Sequence, residues 1–247
     1  MSSSEVLFIG TSDAFGAGGR RQSAVLVRGQ RGTLLLDCGA TTGSGLGELG
    51  VERDEIETIL VSHFHGDHFG GIPLLLLACL YQDERRHPLH IAGPPDIETR
   101  VRALARAMGH GIEERDWSFP IRFSEVPAGG DYDVGPARIR SFETQHQVEA
   151  HPQGYRVDTG GEVIAYSGDT GWFPGLPRLS GDSDLFICEC TLHRETLDFH
   201  LNLETVEAHK DDFNCGRLVL THLGEAMAGL RGKCSVETAD DGLVVKL

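Results

Sequence analysis

The sequence predicts a layered fold of the α/β or α+β class, arranged as an αββα sandwich, and three observations favour it. Short apolar runs of strand length alternate with loops in both halves of the 247-residue chain. Helix candidates accompany the strands of each half. No linker or fixed-period repeat interrupts the chain, so residues 1–247 are expected to form a single domain, a size that layered domains commonly reach. Two strand-rich halves of this kind bury their apolar surface by stacking two sheets with helices outside.

The first half contains five apolar runs with the length and boundaries of strands. They are Val6 to Ile9, Ala24 to Val27, Thr33 to Asp37, Ile56 to Val61 and Leu89 to Ala92. Two helices are also predicted here. Gly70 to Tyr81 is apolar and has Pro73 in its first turn. Asp96 to Met108 has apolar residues at helical spacing with charges between them, which is typical of an amphipathic surface helix.

The second half repeats this style. Its strand candidates are Ile121 to Val126, Ala137 to Phe142, Gly154 to Val157, Val163 to Ser167, Asp184 to Ile187 and Leu218 to Thr221. A further helix is predicted from Leu203 to Asp212, with Asn202 as its cap. Pro127 to Pro136 is rich in glycine and proline and is interpreted as a hairpin or connector turn.

The composition limits the partners and the compartment. Twenty-two basic and 37 acidic residues give a net charge of −15, which repels polyanions at long range, so extended nucleic acid is disfavoured, although not excluded, as a substrate. The start, Met1 to Glu5, lacks the basic region of a secretory signal. The longest apolar run, Ile72 to Leu80, is too short to span a bilayer. We therefore expect a cytoplasmic protein without a membrane partner, which can form a homodimer.

The six cysteines are too scattered for a disulfide scaffold and are expected to be reduced thiols. Cys188 and Cys190 flank Glu189 at the end of an apolar run. Alternation places both sulfurs on one face of a strand. Packing in the core explains this pair better than metal binding or redox chemistry does.

The segment Ser62-His63-Phe64-His65-Gly66-Asp67-His68 carries four potential metal ligands and directly follows a strand candidate. Histidines two residues apart on an extended segment point to the same side. Gly66 lets the chain turn sharply, so Asp67 and His68 can face back toward them. A chance cluster in a polar loop is the alternative, but the preceding strand and the following helix supply the context that a metal motif requires.

Three later residues each end a strand candidate and begin a loop: His146, Asp169 and His222. Taken singly, each is as well explained by a structural histidine or a turn aspartate. Together with the His-rich loop they complete a site for two divalent metal ions. One ion would be bound by His63, His65 and His146. The other would be bound by Asp67, His68 and His222, with Asp169 bridging the two.

The donor set contains imidazoles and carboxylates but no thiolate. Such a set favours zinc, and it also accepts manganese, iron or nickel.

The chain resembles the metallo-β-lactamase-fold hydrolases, on the ribonuclease Z-like branch. The resemblance spans nearly the whole sequence. It is carried by Phe8-Ile9-Gly10-Thr11-Ser12, Leu36-Asp37-Cys38-Gly39, the His-x-His-x-Asp-His motif, Ser167-Gly168-Asp169-Thr170 and the late His222. It implies a four-layer αββα metallo-β-lactamase-type sandwich with a dinuclear centre at the edge of its sheets, and hydrolysis by a metal-activated water.

Two residues are candidates for catalytic roles. Asp67 can ligate a metal while orienting the attacking water. His200 opens a segment that resembles the one carrying the proton-donating histidine in ribonuclease Z-like enzymes, and His193 is its competitor. Asp37 and Thr170 are expected to orient the metal ligands.

The sequence also departs from ribonuclease Z. After the last ligand, that family usually reads Phe-Ser-x-Arg-Tyr, whereas residues 223–227 read Leu-Gly-Glu-Ala-Met. An arginine is absent there and a carboxylate is added, which weakens recognition of a phosphate backbone. No long Gly/Pro/Lys-rich insertion for clamping tRNA lies between His68 and His146. A hydrolase of small phosphodiesters is therefore the first hypothesis for function.

Several alternatives stay open. The chain could be a tRNA 3′-processing endonuclease in which a dimer supplies the basic surface, or a thioesterase or lactonase. It could also be a non-hydrolytic metal-binding protein, or an oxidoreductase that uses two irons. Substrate choice is expected to depend on three loops: Thr11 to Gln22, Pro73 to His87 and Trp172 to Pro177.

Overall fold

The computed structural model describes residues 4–247 and contains two seven-stranded sheets. The strands are β1 (Glu5–Gly10), β2 (Ala24–Gly29), β3 (Gly32–Leu36), β4 (Thr58–Leu60), β5 (Leu89–Gly93), β6 (Ile121–Glu125), β7 (Asp131–Val134), β8 (Ala137–Glu143), β9 (Gln153–Asp158), β10 (Val163–Tyr166), β11 (Leu185–Glu189), β12 (Leu218–Thr221), β13 (Glu237–Thr238) and β14 (Val244–Lys246). The α-helices are α1 (Thr42–Glu48), α2 (Gly66–Phe69), α3 (Ile72–Tyr81), α4 (Ile97–Ala107), α5 (Leu176–Ser180), α6 (Leu203–His209) and α7 (Glu225–Ala228).

Both sheets change from antiparallel to parallel pairing along their length. The first has the order β14-β1-β2-β3-β4-β5-β6 and becomes parallel from β3 onward. The second has the order β13-β12-β11-β10-β9-β8-β7, and β10 to β13 are parallel. Parallel strands end at the same edge of their sheet. Loops after β3, β4, β10, β11 and β12 can therefore meet at one edge of the sandwich.

Three apolar clusters account for the four layers. The cluster between the sheets contains Phe8 from the first sheet and Val157 from the second. The outer face of the first sheet packs against α1, α3 and α4 through residues such as Leu46 and Val101. The outer face of the second sheet packs against α5, α6 and α7, as at Phe186. The αββα sandwich predicted from the sequence is confirmed.

The predicted elements match the observed ones closely, with differences at short or glycine-rich segments. β4 keeps only the centre of the predicted strand. The predicted helix from Leu203 ends at His209 and continues as one 3-10 turn. The segment interpreted as a turn contains β7, of which only Val134 is buried. α1 was not predicted because three of its seven residues are glycines with poor helix propensity. Its Leu46 is fully buried, so packing stabilises it.

Cys188 lies in β11 and Cys190 directly follows it, and both thiols are packed in the core under the second sheet, as expected. Burial raises the pKa of both thiols well above its usual value, so they are neutral packing groups. In residues 4–247, which the structure covers, no helix is both long enough and apolar enough to cross a bilayer.

Candidate metal centre

The His-rich loop begins where β4 ends, and its path depends on close contact with the loop after β3. The backbone N–H of Ser62 donates to Asp37 at 2.6 Å, and Gly39 lies directly against the backbone of Asp67. A Cβ at Gly39 would come within 2.3 Å of the Asp67 carbonyl oxygen. Only glycine allows this approach. The short helix α2 then turns Asp67 and His68 back toward His63.

The structure brings the first predicted ligand group together. Donor atoms of His63, His65, His146 and Asp169 all lie within 4.8 Å of one another. The Nδ1 atom of His65 is 3.1 Å from Nε2 of both His63 and His146. Burial lowers the pKa of His63 and His146, which favours the neutral imidazoles that bind metals.

The second group has nearly uniform spacing. Asp67 Oδ2 lies 3.3 Å from Nε2 of both His68 and His222. Asp169 lies 3.3 Å from His68 Nε2 and 3.4 Å from His222 Nε2. Tetrahedral zinc with ligands at about 2.0 Å separates them by about 3.3 Å. These four distances match the separation of ligands around a tetrahedral zinc ion, with Asp169 facing His68 through Oδ1 and His222 through Oδ2.

Two atoms of this second group are buried without a hydrogen-bond partner: Nε2 of His68 and Oδ1 of Asp169. They are 3.3 Å apart but are not aligned for a hydrogen bond. Buried polar atoms are rarely left unpaired in folded proteins. A cation between them would satisfy both, so the residues present fit a metal ion.

Asp169 belongs to both groups. Its Oδ1 faces His68, whereas its Oδ2 lies 3.7 Å from His63 Nε2 and 3.4 Å from His222 Nε2. Burial by itself raises the pKa of this carboxyl, but the surrounding histidines hold it well below its usual value. Asp169 is thus an ionised carboxylate that the two donor groups share.

Four histidines are oriented by hydrogen bonds made through Nδ1. The partners are Ser62 Oγ for His63 at 3.0 Å, Asp37 Oδ2 for His68 at 2.7 Å, the Phe199 carbonyl for His146 at 2.9 Å and Thr191 Oγ1 for His222 at 2.8 Å. The Ser62 and Thr191 hydroxyl protons are already donated to Asp37 and Glu189. Each hydroxyl therefore accepts from the imidazole Nδ1–H, which turns Nε2 toward the centre.

Among these orienting groups, the buried carboxylate of Asp37 accepts the most hydrogen bonds. It accepts hydrogen bonds from Ser62, from Nδ1–H of His68 and, at 2.6 Å, from the Tyr166 hydroxyl. Tyr166 was not predicted. Burial beside Asp37 raises the pKa of its phenol well above the usual value, so it remains a donor. Asp37 has a left-handed φ of 58°, which Asn also tolerates.

Asp37→Asn is expected to weaken metal binding by about 10- to 100-fold, because it removes the negative charge that raises the basicity of His68. The substitution preserves shape and suits the backbone. Metal affinity would be measured by competition with a chelator of known affinity. Asp131→Asn, on the exposed strand β7, is the matched control. Unchanged affinity in Asp37→Asn would show that Asp37 stabilises the fold without tuning the metal ligands.

His200, the predicted proton donor, lies at the edge of this centre. Its Nδ1 is 2.7 Å from Glu189 Oε1 and 4.0 Å from Asp169 Oδ2. Burial lowers the pKa of His200, but the Glu189 carboxylate outweighs it and raises the pKa to about 9. His200 therefore holds a proton beside the candidate metal ligands, where a leaving group needs one.

Glu189 is the functional residue that sequence reasoning missed. It lies at the end of β11 between the two core cysteines and is almost fully buried. Its carboxylate accepts hydrogen bonds from Thr170 N–H and from Thr191 N–H and Oγ1–H, besides His200. These bonds occupy both oxygens, so Glu189 orients His200 and Thr191 and is not a free metal ligand. The position of Glu189 in an otherwise apolar strand is the sequence signal that could have identified it as a functional residue.

The two remaining predicted residues, Thr170 and His193, do not lie where the sequence analysis expected them to act. The Thr170 hydroxyl accepts a hydrogen bond from Gln145 N–H at 3.0 Å, so it positions the loop that carries His146 and touches no candidate ligand side chain. His193, the competitor of His200, does not line the cavity at the centre.

The cleft above the candidate ligands has a cavity volume of about 460 Å³. Its walls come from residues 13–15, from the segment Thr191 to His200 and from residues 224–226. The loop Thr11 to Gln22 was expected here. The loops Pro73 to His87 and Trp172 to Pro177 do not line this cleft, because the first is mostly α3 on the outer layer and the second packs beside α6.

A family model described as "Anti-Pycsar protein Apyc1" matches residues 4–239, nearly the whole chain and every candidate ligand. The chain belongs to this family. The match to the Apyc1 family includes the late motif Leu223 to Met227, which departs from the ribonuclease Z pattern. This departure therefore lies inside the region that the Apyc1 family model matches.

This Apyc1 family member is also similar to curated ribonucleases. It is 37% identical over 154 residues to ribonuclease Z from Halorubrum lacusprofundi and 32% identical over 157 residues to ribonuclease BN from Salmonella gallinarum. Each match covers 62% of this chain, and 47% and 49% of the respective relative. The chain thus spans about half the length of the curated relatives it matches.

Solved structures show the same fold over nearly the full chain. The metallo-β-lactamase fold protein YhfI from Bacillus subtilis has a TM-score of 0.77 at 23% identity, covering 98% of this chain and 99% of its own. The short form of human tRNase Z has a TM-score of 0.78 at 25% identity, covering 98% of both chains. The resemblance to metallo-β-lactamase-fold hydrolases on the ribonuclease Z-like branch is confirmed.

Proposed function

We propose that this protein is a metal-dependent hydrolase that binds two divalent ions and cleaves small phosphodiesters. The observation that carries the proposal is the pair of donor groups that share Asp169, with His68 Nε2 and Asp169 Oδ1 buried and unpaired. The contact between both sheets and the pairing of β14 with β1 support treating residues 1–247 as one hydrolase domain.

His63, His65 and His146 would hold one ion, Asp67, His68 and His222 the other, and Asp169 both. Zinc is favoured by these donors, and a Zn²⁺-bound PqqB from Methylobacterium extorquens has this fold, with a TM-score of 0.75 at 15% identity. Two such ions make hydroxide available near neutral pH and polarise a phosphoryl oxygen.

The chain's own groups would handle the protons. Asp67 lines the cleft, and its carboxylate can accept a hydrogen bond from the attacking water, which would fix the direction of attack. The water oxygen bonds to phosphorus as the bond to the leaving oxygen breaks. His200 then donates its proton to that oxygen, and Glu189 stabilises the protonated form of His200 beforehand. The Thr191 hydroxyl is hydrogen-bonded to both Glu189 and His222 and holds the two side chains in position relative to each other.

Surface charge supports a small substrate over a tRNA. Basic residues are weakly grouped in the sequence at positions 20–21, 85–86 and 100–106. Four of these arginines are paired with carboxylates: Arg20 with Asp240, Arg21 with Glu48, Arg102 with Glu98, and Arg106 with Glu113. Arg85 is buried, and its guanidinium donates to backbone carbonyls. Phosphate contacts from free Lys and Arg supply most of the affinity for nucleic acid. A tRNA 3′-processing nuclease remains the second candidate because human tRNase Z and ribonuclease Z are relatives.

Metal removal is expected to abolish hydrolysis of bis(p-nitrophenyl) phosphate, and adding zinc or manganese back should restore it. The aryl diester reports directly on the proposed bond, and dialysis against a chelator removes the ions without changing the chain. Release of p-nitrophenol would be followed together with the metal content per chain.

Two outcomes would contradict this proposal. A metal-loaded protein that leaves the diester intact but cleaves a thioester or a lactone would change the bond class. Cleavage of pre-tRNA 3′ ends at physiological salt, with rates that fall steeply as salt is added, would favour the nuclease.

A further inference from the structure

The mouth of the cleft is acidic. Besides the candidate metal ligands, three carboxylates line it: Asp13 on the loop before β2, Glu195 after β11, and Glu225 at the start of α7. Within residues 4–247 as described, no lysine or arginine lines this cavity. A site that binds an anionic phosphodiester therefore has carboxylates, instead of cations, around the part of the substrate that extends away from the metals.

These carboxylates are held in place by the wall itself. Glu225 Oε2 accepts a hydrogen bond from Gly18 N–H at 3.1 Å, which ties α7 to the loop of residues 11–22. Asp13 Oδ1 accepts from the backbone N–H groups of Phe15 and Ala17. Backbone N–H groups orient both carboxylates without neutralising them.

Neighbouring cations are engaged elsewhere. Arg20 pairs with Asp240, and Arg231 also faces Asp240 at 3.7 Å. Arg194 pairs with Glu204, 3.1 Å away, and is not among the residues that line the cleft. Arg231 is near enough to attract the Glu225 carboxylate, but it does not line the cavity, so within residues 4–247 the lining of the mouth remains acidic. Phe15 adds an aromatic side chain that is 92% exposed and also lines the cavity, and an aromatic face attracts cations.

The net charge of the metal centre also disfavours a substrate with a second anionic group. Two divalent ions would bring four positive charges, and the carboxylates of Asp37, Asp67 and Asp169 would remove three. One phosphodiester anion would balance the remaining positive charge. A second anionic group on the substrate would have no counter-charge and would lie against the carboxylates of the mouth.

We propose that Glu195 and Glu225 select phosphodiesters by charge: the ester group that stays on phosphorus is uncharged or cationic, and substrates with a second anionic group are rejected. This proposal rests on the proposed phosphodiesterase function and specifies its substrate class. It also accounts for the added carboxylate of Glu225, next to Ala226, which stands where ribonuclease Z usually has arginine.

The test uses three p-nitrophenyl phosphodiesters that share the scissile bond and differ only in the second ester group, which is choline, ethyl or 3-carboxypropyl. For the metal-loaded wild type, kcat/KM is expected to fall in that order, by about 10-fold from the choline to the carboxypropyl ester. Dissociation constants of the three product monoesters, measured by calorimetry, should follow the same order. Both ratios should shrink as ionic strength rises.

Glu195→Gln and Glu225→Gln should each reduce the choline-to-carboxypropyl ratio by about threefold, and the double variant should bring it close to one. The ratio within one variant cancels any general loss of activity. Glu98→Gln, on the outer face of α4, is the matched control and should keep the wild-type ratio. Circular dichroism and metal content would show that the variants fold and load normally.

Outcomes separate the two proposals. If the wild type cleaves none of the three esters, the proposed function is wrong. If it cleaves all three with equal kcat/KM, or if the glutamine variants keep the wild-type ratio, the phosphodiesterase stands and charge selection by Glu195 and Glu225 is wrong.

Discussion

Asp169→Ala is expected to empty both metal positions and to lower kcat/KM for a phosphodiester by about 10³-fold or more. Among residues 4–247, Asp169 is the one carboxylate that belongs to both donor groups, 3.3 Å from His68 Nε2 and 3.7 Å from His63 Nε2. Each ion supplies several kcal/mol of transition-state stabilisation, and 1.4 kcal/mol corresponds to about tenfold in rate. Inductively coupled plasma mass spectrometry would give the metal content per chain.

Asp67→Ala provides the matched comparison because Asp67 belongs to the second group alone. Its activity should also be lost, but close to one ion should remain per chain, held by His63, His65 and His146. Asp131→Ala, on exposed β7, should retain two ions and full activity. Two ions per chain in Asp169→Ala would show that Asp169 does not bridge.

His200→Ala is expected to have an effect that depends on the leaving group. For a phosphodiester with an alkyl leaving group, kcat should fall by about 10²- to 10⁴-fold, because an alkoxide needs a proton as it departs. For p-nitrophenolate, which leaves without one, the loss should be about 10-fold or less. Rates for a series of leaving groups would show this as a steeper dependence on leaving-group pKa in the variant.

His193→Ala serves as the control, since His193 does not line the cavity. It should behave like the wild type with every leaving group. Equal losses with both kinds of leaving group in His200→Ala, or loss of bound metal, would mean that His200 stabilises the site and is not the proton donor.

The sequence by itself determined most of the strands and the local metal motif; β7, β13 and β14 were not predicted. The two-residue spacing of His63 and His65 and the turn at Gly66 are properties of a short piece of chain, readable without knowing its surroundings. Strand ends were equally readable, because apolar runs stop abruptly before His146, Asp169 and His222. These three residues were predicted to belong to one metal site because the sheets position donors that lie at strand ends. Short elements with weak propensity, such as α1 and β7, were not predicted, because they are stabilised by contacts between residues that are distant in sequence.

Only the tertiary structure decided how the donors are oriented and what surrounds them. The Nδ1 bonds that turn each Nε2 inward join residues far apart in sequence, such as His68 with Asp37 and His146 with Phe199. The role of Glu189 depends on the packing of β11 beside His200, and no local pattern encodes it. The acidic mouth likewise combines three separate segments at Asp13, Glu195 and Glu225. Such arrangements arise when the sheets stack and bring their edges together, so their chemistry depends on distances that one-dimensional spacing does not contain.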